Sequence, residues 1–305
     1  MKCDDIESAH ARIAPHIRRT PLMEADGVSL KLEGLQHTGS FKPRGAFNNL
    51  LGRSVPAAGV AAASGGNHGA AVACAAQKLG LPAKVFVPDI AAPVKIEKIR
   101  SYGADIHVEG RTYFDALALC DAYVAESGAL AVHAYDSPQT VAGQGTVGLE
   151  WERDLAALGL PRLDVALVAV GGGGLISGVA AWFAGRTRVI GVEPSGSRAL
   201  HAALEAGRPV DVEVKSLAAD SLGARRVGAL NFDICREAVE RVVLVDDDAI
   251  RAAQRKLWRD FNLVAEPGGA AAYAALLSGG YRPAQGERVG VLICGANADF
   301  AALAG

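Results

Sequence analysis

The sequence predicts an α/β fold with open parallel sheets, because short apolar strands alternate with helical segments along most of the chain. Three apolar runs are each followed at once by glycine-rich or polar residues: Val60–Ala63, Val165–Val170 and Val289–Ile293. In open parallel sheets the ligand binds beyond the carboxyl ends of the strands. The pattern therefore predicts the fold class and also the sheet edge at which a binding site lies.

The individual elements follow in βαβ order, which implies right-handed crossovers and parallel pairing. The first half contains strand Val60–Ala63, helix Gly69–Leu79, strand Ala83–Val87, helix Val94–Tyr102, strand Ala104–Val108, helix Tyr113–Glu126 and strand Leu130–His133. The second half contains helix Gly148–Leu158, strand Val165–Val170, helix Leu175–Phe183, strand Val189–Val192, helices Asp247–Asn262 and Gly269–Leu277, and strand Val289–Ile293. No linker, low-complexity tract or repeat interrupts this order.

Composition limits the class of protein. The chain has 305 residues, 50% of them hydrophobic, and a formal net charge of −2, so it can bury a large core. The near-balanced charge gives no reason to expect nucleic acid or an anionic membrane as a partner. The five cysteines are scattered without a CxxC pair, and neither a signal peptide nor a membrane-length apolar run is evident. These features predict a soluble cytoplasmic protein with reduced thiols.

Lys42 is the first candidate for chemistry. It lies in the run Ser40-Phe41-Lys42-Pro43-Arg44, and the proline disfavours helical geometry at the residue before it. Lysine forms Schiff bases with carbonyl compounds once desolvation or a nearby charge lowers its pKa. Taken alone, the residue could equally be an ordinary surface lysine.

The run Gly171–Gly174 is the second candidate, because it connects an apolar strand to a helix. Glycines in this position let backbone N–H groups close on a phosphate without obstruction by side chains. A flexible loop is the alternative for the glycines alone. A nucleotide-binding module is the alternative from another class: Glu193 follows at roughly the spacing of a ribose-binding acid, but the spaced GxGxxG is absent and Lys42 is left unexplained.

Seven motifs occur in order between about Thr20 and Asn297. They are Lys31-Leu32-Glu33, Thr38-Gly39-Ser40-Phe41-Lys42-x-Arg44-Gly45-Ala46, Gly66-Asn67-His68, Ala142-Gly143-Gln144-Gly145-Thr146, Gly171–Gly174, Val192-Glu193-Pro194 and Cys294-Gly295-x-Asn297. Together they resemble the serine/threonine dehydratase and serine racemase group of fold-type II pyridoxal 5′-phosphate (PLP) enzymes, which have a tryptophan synthase β-like fold. The resemblance implies two open parallel-sheet domains with PLP between them. Residues 1–55 and 136–305 would form the large domain, and residues 56–135 a small inserted domain.

The resemblance also implies roles for the cofactor site. Lys42 would hold PLP as a Schiff base and then remove the substrate Cα proton. The other implied cofactor residues are Phe41, Asn67 at the 3′-oxygen, Gly171, Gly172, Gly173, Gly174 and Leu175 at the phosphate, and Cys294 at the pyridine nitrogen. A neutral thiol would not keep that nitrogen protonated, which favours β-elimination over side reactions. Alternatively, Asn67 is a helix-capping residue and Cys294 a small buried hydrophobe.

The substrate carboxylate is implied to bind at Ser64, Gly65, Gly66 and His68, where a helix N-terminus offers free N–H groups. For His68, a purely structural role is an equally good interpretation. Tyr113 and Glu266 are weaker candidates, the first as a lid residue and the second as an acid near the cofactor. A packed tyrosine and a helix-capping acid are the corresponding alternatives.

Two departures from the group's pattern refine the prediction. Racemases of the group carry a serine where this chain has Gly65, so the far-face proton donor is missing and elimination is favoured. Relatives with a divalent cation pair the Glu of Glu-Pro with an acid six residues later, but here Glu193 is followed by Ala199. Magnesium is therefore not expected, while a monovalent cation at Glu193 is left open.

The sequence thus predicts a PLP-dependent ammonia-lyase that removes water from L-threonine or L-serine and releases a 2-oxo acid and ammonia. Threo-3-hydroxyaspartate and phenylserine are further candidate substrates, and a homodimer is expected by analogy with the group. The alternatives are a serine or hydroxyaspartate racemase and a cysteine-synthase-like β-replacement enzyme. Relatives of the latter usually carry Thr-Ser-Gly-Asn-Thr where this chain has Ser64–His68.

Overall fold

The computed structural model describes residues 1–298, so residues 299–305 of the predicted large domain lie outside the described residues. The strands are β1 Leu22–Ala25, β2 Val28–Leu32, β3 Val60–Ala63, β4 Ala83–Val87, β5 Asp105–Val108, β6 Leu130–Ala131, β7 Val165–Ala169, β8 Arg188–Pro194, β9 Arg241–Val245 and β10 Val289–Ile293. The helices are α1 Cys3–Ile13, α2 Lys42–Gly52, α3 Asn67–Leu79, α4 Pro93–Arg100, α5 Tyr113–Ser127, α6 Pro138–Ala157, α7 Gly174–Phe183, α8 Ala199–Ala206, α9 Ala219–Leu222, α10 Ala229–Ala238, α11 Asp247–Phe261 and α12 Pro267–Leu277.

These strands form two separate sheets, which confirms the predicted α/β class. The larger sheet has the order β1-β2-β10-β7-β8-β9, and only its β1–β2 hairpin is antiparallel. The smaller sheet has the order β5-β4-β3-β6 and is parallel throughout. The smaller sheet is built from residues 60–131, within the predicted inserted domain, while the exact domain boundaries stay a prediction.

The predicted helix Gly148–Leu158 was too short, because α6 begins ten residues earlier at Pro138. Its first half contains Gly143 and Gly145, which are poor helix formers on propensity alone. In the structure these glycines permit contact at backbone distance: a Cβ on Gly143 would lie 2.6 Å from the Arg44 carbonyl oxygen, and one on Gly145 would lie 2.7 Å from Ile6. Packing against α1 and α2 therefore overrides propensity.

Several elements of the structure were not predicted, among them α1, α2, the β1–β2 hairpin and β9. Of these, α2 matters most for the site. Lys42 is its first residue and Pro43 follows in the first turn, where a missing N–H has no cost. Lys42 is therefore the first residue of a helix that was not predicted, and it does not lie in mid-helix.

The hydrophobic core surrounds β7, which precedes the glycine run, and β10, which precedes Cys294. All residues of β7 and β10 are buried, and the apolar face of α7 packs onto the same cluster. Within residues 1–298, no helix combines the length and apolar character required to cross a bilayer.

Candidate active site

A cavity open to solvent lies beyond the carboxyl ends of β7 and β10. Its walls are formed by Phe41, Lys42, Asn67, Tyr135, Ala169, Val170, Gly171, Gly172, Gly173, Gly174, Leu175, Ile176, Ser221, Leu222, Glu266 and Cys294. Every residue that the resemblance assigned to the cofactor lies on these walls. The sheet edge predicted from the strand ends is therefore where the structure places a cavity.

Lys42 projects into this cavity from the first turn of α2. Its Nζ donates to the carbonyl oxygen of Ala134 at 3.0 Å and lies 5.1 Å from the centroid of the Phe41 ring. Burial lowers the pKa of Lys42 to about 8, although Cys294 and Glu266 act in the opposite direction. A lysine with this pKa exists partly as the neutral amine near neutral pH, so it can act as a nucleophile and as a base.

The glycine run passes under Tyr135 and enters α7 directly. Gly173 has φ +96°, a conformation that favours glycine, and a side chain on Gly172 would overlap the Tyr135 ring. A Cβ on Gly174 would approach the Tyr135 backbone to 2.9 Å. The first N–H groups of α7 have no partner within the helix, and together with the helix dipole they suit a phosphate.

Replacing Gly172 with alanine is expected to weaken PLP binding by about tenfold or more, because the new methyl group must displace either the Tyr135 ring or the phosphate loop. PLP dissociation constants measured by cofactor fluorescence would test this. Gly52→Ala is the matched control, since a Cβ there meets only Arg12, at 3.4 Å or more. Unchanged affinity in Gly172→Ala would contradict a phosphate site at this loop.

Asn67, Glu266 and Cys294 also line the cavity. Asn67 is the first residue of α3, and its Nδ2 donates to Glu266 Oε1 at 2.6 Å. Glu266 is buried, and burial raises its pKa despite the Asn67 hydrogen bond and three nearby lysines. The Cys294 thiol is also buried, and burial raises its pKa far above the ordinary range, so it is neutral.

The implied carboxylate loop adjoins the cavity without lining it. Ser64, Gly65 and Gly66 connect β3 to the N-terminus of α3, and Ser64 Oγ accepts from the Gly66 N–H at 3.2 Å. His68 is turned away: its Nε2 lies 2.8 Å from the Val132 carbonyl oxygen, which can only accept, so Nε2 carries the hydrogen. Burial lowers the pKa of His68 to about 3, and the ring is therefore neutral.

Tyr113 does not line the cavity. It is the first residue of α5 and packs against the apolar cluster beside the smaller sheet. Its ring meets Phe114 edge-on at a centroid distance of 5.8 Å. The packed-tyrosine alternative agrees with this position, while a contact with substrate stays a prediction.

Glu193, the predicted cation ligand, lies at the end of β8 and is fully buried. Its two carboxylate oxygens accept the backbone N–H groups of Leu200 and His201 at 2.9 and 2.8 Å, in the first turn of α8. Burial raises its pKa to about 8 although these hydrogen bonds lower it. Residues 1–298 contain no group of three or more His, Cys, Asp or Glu side chains arranged to hold a metal ion.

Sequence reasoning missed several residues that shape the cavity, namely Tyr135, Ser221, Leu222 and Asn231. Asn231 on α10 is buried, and its Nδ2 donates to the Gly172 carbonyl oxygen at 2.9 Å and to the Tyr135 carbonyl oxygen at 3.2 Å. These two hydrogen bonds hold the glycine run against Tyr135, whose ring lies over Gly172. No local pattern marks these residues, since they come from segments far apart in the chain.

The cavity fits PLP by three independent features. A lysine amine with a lowered pKa suits an aldehyde carbon, and a side-chain-free loop at the N-terminus of α7 suits a phosphate. The third feature is the neutral Cys294 thiol on the cavity wall, which can face a ring nitrogen without charge.

Comparison with known proteins agrees with this fit. The family model described as "Pyridoxal-phosphate dependent enzyme" matches residues 13–295. The phenylserine dehydratase of Ralstonia pickettii is 40% identical, over 98% of this chain and 94% of the relative. The L-threonine ammonia-lyase of Geobacter sulfurreducens is 38% identical, over 96% of this chain and 75% of the relative.

Solved structures show the same similarity. A threonine deaminase from the organism abbreviated T.th. superposes with a TM-score of 0.92 at 36% identity, over 98% of this chain and 99% of that chain. Maize serine racemase superposes with a TM-score of 0.91 at 33% identity, over 99% and 95% of the two chains. Because a deaminase and a racemase are both this similar, the choice between elimination and racemisation depends on individual residues of the site.

Proposed function

The chain belongs to the pyridoxal-phosphate-dependent enzymes, and we propose that it is an ammonia-lyase that removes water from a small β-hydroxy amino acid, L-threonine or L-serine. The products are a 2-oxo acid and ammonia. The observation that carries the proposal is the placement of Lys42 Nζ and the glycine run in one cavity. The similarity to a dehydratase and an ammonia-lyase supports it, and the family match sets the nucleotide-binding alternative aside.

The reaction divides among groups of this chain. Bound PLP supplies an electron-withdrawing ring that accepts the electron pair left when the Cα proton is removed. Lys42 would hold the cofactor at its aldehyde carbon and, once substrate is bound, would accept the Cα proton at Nζ. The bond between Cβ and the hydroxyl oxygen would then break, and the hydroxyl group would leave as water with a proton from the cofactor's phosphate. The N-terminus of α3, at Ser64–Asn67, would hold the substrate carboxylate, and the first N–H groups of α7 would hold the phosphate. His68 should take up no proton near neutral pH, because burial lowers its pKa to about 3 and its Nε2–H donates to the Val132 carbonyl oxygen.

Gly65 is the residue that favours elimination over racemisation. A racemase needs a second proton donor on the face opposite the lysine, and glycine offers none. A Cβ built on Gly65 would lie 2.7 Å from Ala91 Cβ and 2.9 Å from Val87 Cγ1. A side chain at this position would therefore collide with the segment after β4, and this packing supports a dehydratase.

PLP capture is expected to depend on pH through Lys42. Its pKa is lowered to about 8, and only the neutral amine attacks an aldehyde. The capture rate should therefore rise with pH up to about 8 and level off above it, whereas an unperturbed lysine would keep rising to about 10.5. Stopped-flow absorbance after mixing PLP with cofactor-free protein measures the profile. A rate still rising steeply at pH 10 would contradict the lowered pKa.

Cys294→Asp is expected to raise the share of side products such as transamination. An aspartate carboxylate beside the ring nitrogen would keep that nitrogen protonated and make the ring a stronger electron sink. Cys294→Ser, which stays neutral, is the control. The measurement is the ratio of 2-oxo acid released to cofactor converted to the amine form, and an unchanged ratio in Cys294→Asp would count against the assignment.

The direct test is 2-oxo acid release by the PLP-loaded protein from L-threonine, L-serine, threo-3-hydroxyaspartate and phenylserine. We expect release from L-threonine or L-serine. The relative rates show which of the four amino acids the enzyme prefers. Measurable interconversion of L- and D-serine without release would instead support a racemase. Product formed only with an added nucleophile would support the β-replacement alternative.

Cellular location, assembly and the cation belong to the same proposal. We expect a cytoplasmic homodimer, by analogy with the family. We also expect that a monovalent cation, if one binds, does so at Glu193 with backbone carbonyl groups. Light scattering of the purified protein measures the oligomeric state. Activity in sodium, potassium and tetramethylammonium buffers measures the dependence on a monovalent cation.

A further inference from the structure

Four side chains joined by hydrogen bonds run from Lys98 to Glu266 at the edge of the cavity. Lys98 Nζ donates to Asn297 Oδ1 at 2.5 Å, and Asn297 Nδ2 donates to Asn67 Oδ1 at 2.6 Å. Asn67 Nδ2 in turn donates to Glu266 Oε1 at 2.6 Å. Every donor points the same way, from the ammonium group toward the carboxyl group.

The orientation of both amides follows from groups that can only donate or only accept. The Lys98 ammonium can only donate, so Asn297 must present its oxygen to it. The Nδ2 of Asn297 also meets the Thr38 carbonyl oxygen at 2.8 Å, and this oxygen can only accept. Asn67 therefore accepts at Oδ1, and its N–H₂ group is turned toward Glu266 and the cavity.

This connection joins the two sheets of the protein. Lys98 lies on α4, which connects β4 to β5 of the smaller sheet, while Thr38 and Asn297 lie beside β10 of the larger one. Lys98 Nζ also donates to the Thr38 carbonyl oxygen at 2.9 Å. Gly39 has φ +78°, and a side chain there would overlap the Asn297 amide, so the close contact between residue 39 and Asn297 requires glycine.

We propose that Lys98 and Asn297 are positioning residues for the cofactor, which hold the Asn67 amide with its N–H₂ group toward the cavity. This rests on the proposed function, because the group that Asn67 addresses is PLP. One N–H of Asn67 is occupied by Glu266, and the other is available to an oxygen of the cofactor. Lys98 and Asn297 are not among the residues that form the cavity walls, and their hydrogen bonds reach the cavity through Asn67.

The test compares PLP dissociation constants and the absorbance band of the bound cofactor in three variants. Lys98→Met removes the charge but keeps the length of the side chain. Asn297→Asp keeps an oxygen for Lys98 but cannot donate to Asn67 or Thr38. Arg100→Met is the control, because Arg100 lies on the same helix, is exposed and pairs only with Glu97 among the described contacts.

We expect Lys98→Met and Asn297→Asp each to weaken PLP binding about tenfold and to shift the absorbance band, and Arg100→Met to change affinity by less than about twofold. In the double variant the losses should not add, because Lys98 acts through Asn297. Wild-type affinity in Lys98→Met, or additive losses, would overturn the proposal. If PLP binds as expected but no 2-oxo acid forms, the proposed function fails and this inference stands.

Discussion

Lys42→Ala is expected to lower 2-oxo acid release by about 10⁴-fold or more and to abolish the absorbance band that depends on the covalent link between Lys42 and PLP. The variant removes both the nucleophile that holds the cofactor and the base that accepts the Cα proton, so two contributions are lost together. The rest of the cavity should survive, because among the described contacts Lys42 makes a single side-chain hydrogen bond, to the Ala134 carbonyl oxygen. Steady-state rates and absorption spectra of the PLP-loaded variant measure the effect.

Two further variants separate this chemistry from the loss of a positive charge. Lys42→Arg keeps the charge, but a guanidinium group stays protonated and cannot attack an aldehyde, so it should be as inactive as the alanine variant. Lys84→Ala should keep its activity, since Lys84 pairs with Asp105 on the smaller sheet, away from the cavity. Substantial activity in Lys42→Ala or Lys42→Arg would exclude the proposed role.

The sequence could predict those parts of the fold and site that rest on contiguous residues. The strands Val60–Ala63, Ala83–Val87 and Val289–Ile293 were predicted with the observed bounds, because each is a short apolar run bounded by turn residues. Lys42 and the glycine run could be recognised for the same reason, since the signal lies within a few neighbouring residues. Their position on one cavity agrees with the rule that ligands bind at strand ends.

The parts that were missed depend on contacts between distant segments. The first half of α6 is helical because Gly143 and Gly145 pack at backbone distance on other helices, which no local propensity reveals. Asn231 reaches the glycine run from about sixty positions further along the chain. Asn297 was visible within a motif, but only the structure shows that it accepts from Lys98 and donates to Asn67.

Arg44→Met is expected to destabilise the protein by about 3–5 kcal/mol, because it leaves two buried carboxylates without their main partner. The fully buried Arg44 guanidinium contacts Glu33 at 2.7 and 2.8 Å, and Glu150 at 3.0 and 3.2 Å. Burial alone would raise the pKa of Glu150, yet Arg44 and Lys31 hold it at about 2. Urea unfolding followed by circular dichroism, with and without PLP, measures the loss.

Arg226→Met is the matched control, since it breaks an ion pair with Asp211 in which both side chains are more than half exposed. Such surface pairs contribute less than about 1 kcal/mol, because water and salt screen the charges. If Arg44→Met costs no more than Arg226→Met, the buried network does not stabilise the fold as argued. Arg44→Lys should fall between the two, because lysine keeps the charge but cannot make the paired contacts.

The stability of this network also bears on the chemistry, because Arg44 lies one residue beyond Pro43 in the first turn of α2. Glu33 follows β2 directly and Glu150 lies on α6, so Arg44 ties the start of α2 to two neighbouring elements. The same turn carries Lys42 into the cavity. PLP affinity in Arg44→Met should therefore fall along with stability, measured at a temperature where the variant is still folded. Arg226→Met should keep its affinity for PLP. A loss of PLP affinity in Arg44→Met alone would show that the buried ions position Lys42 as well as stabilise the fold.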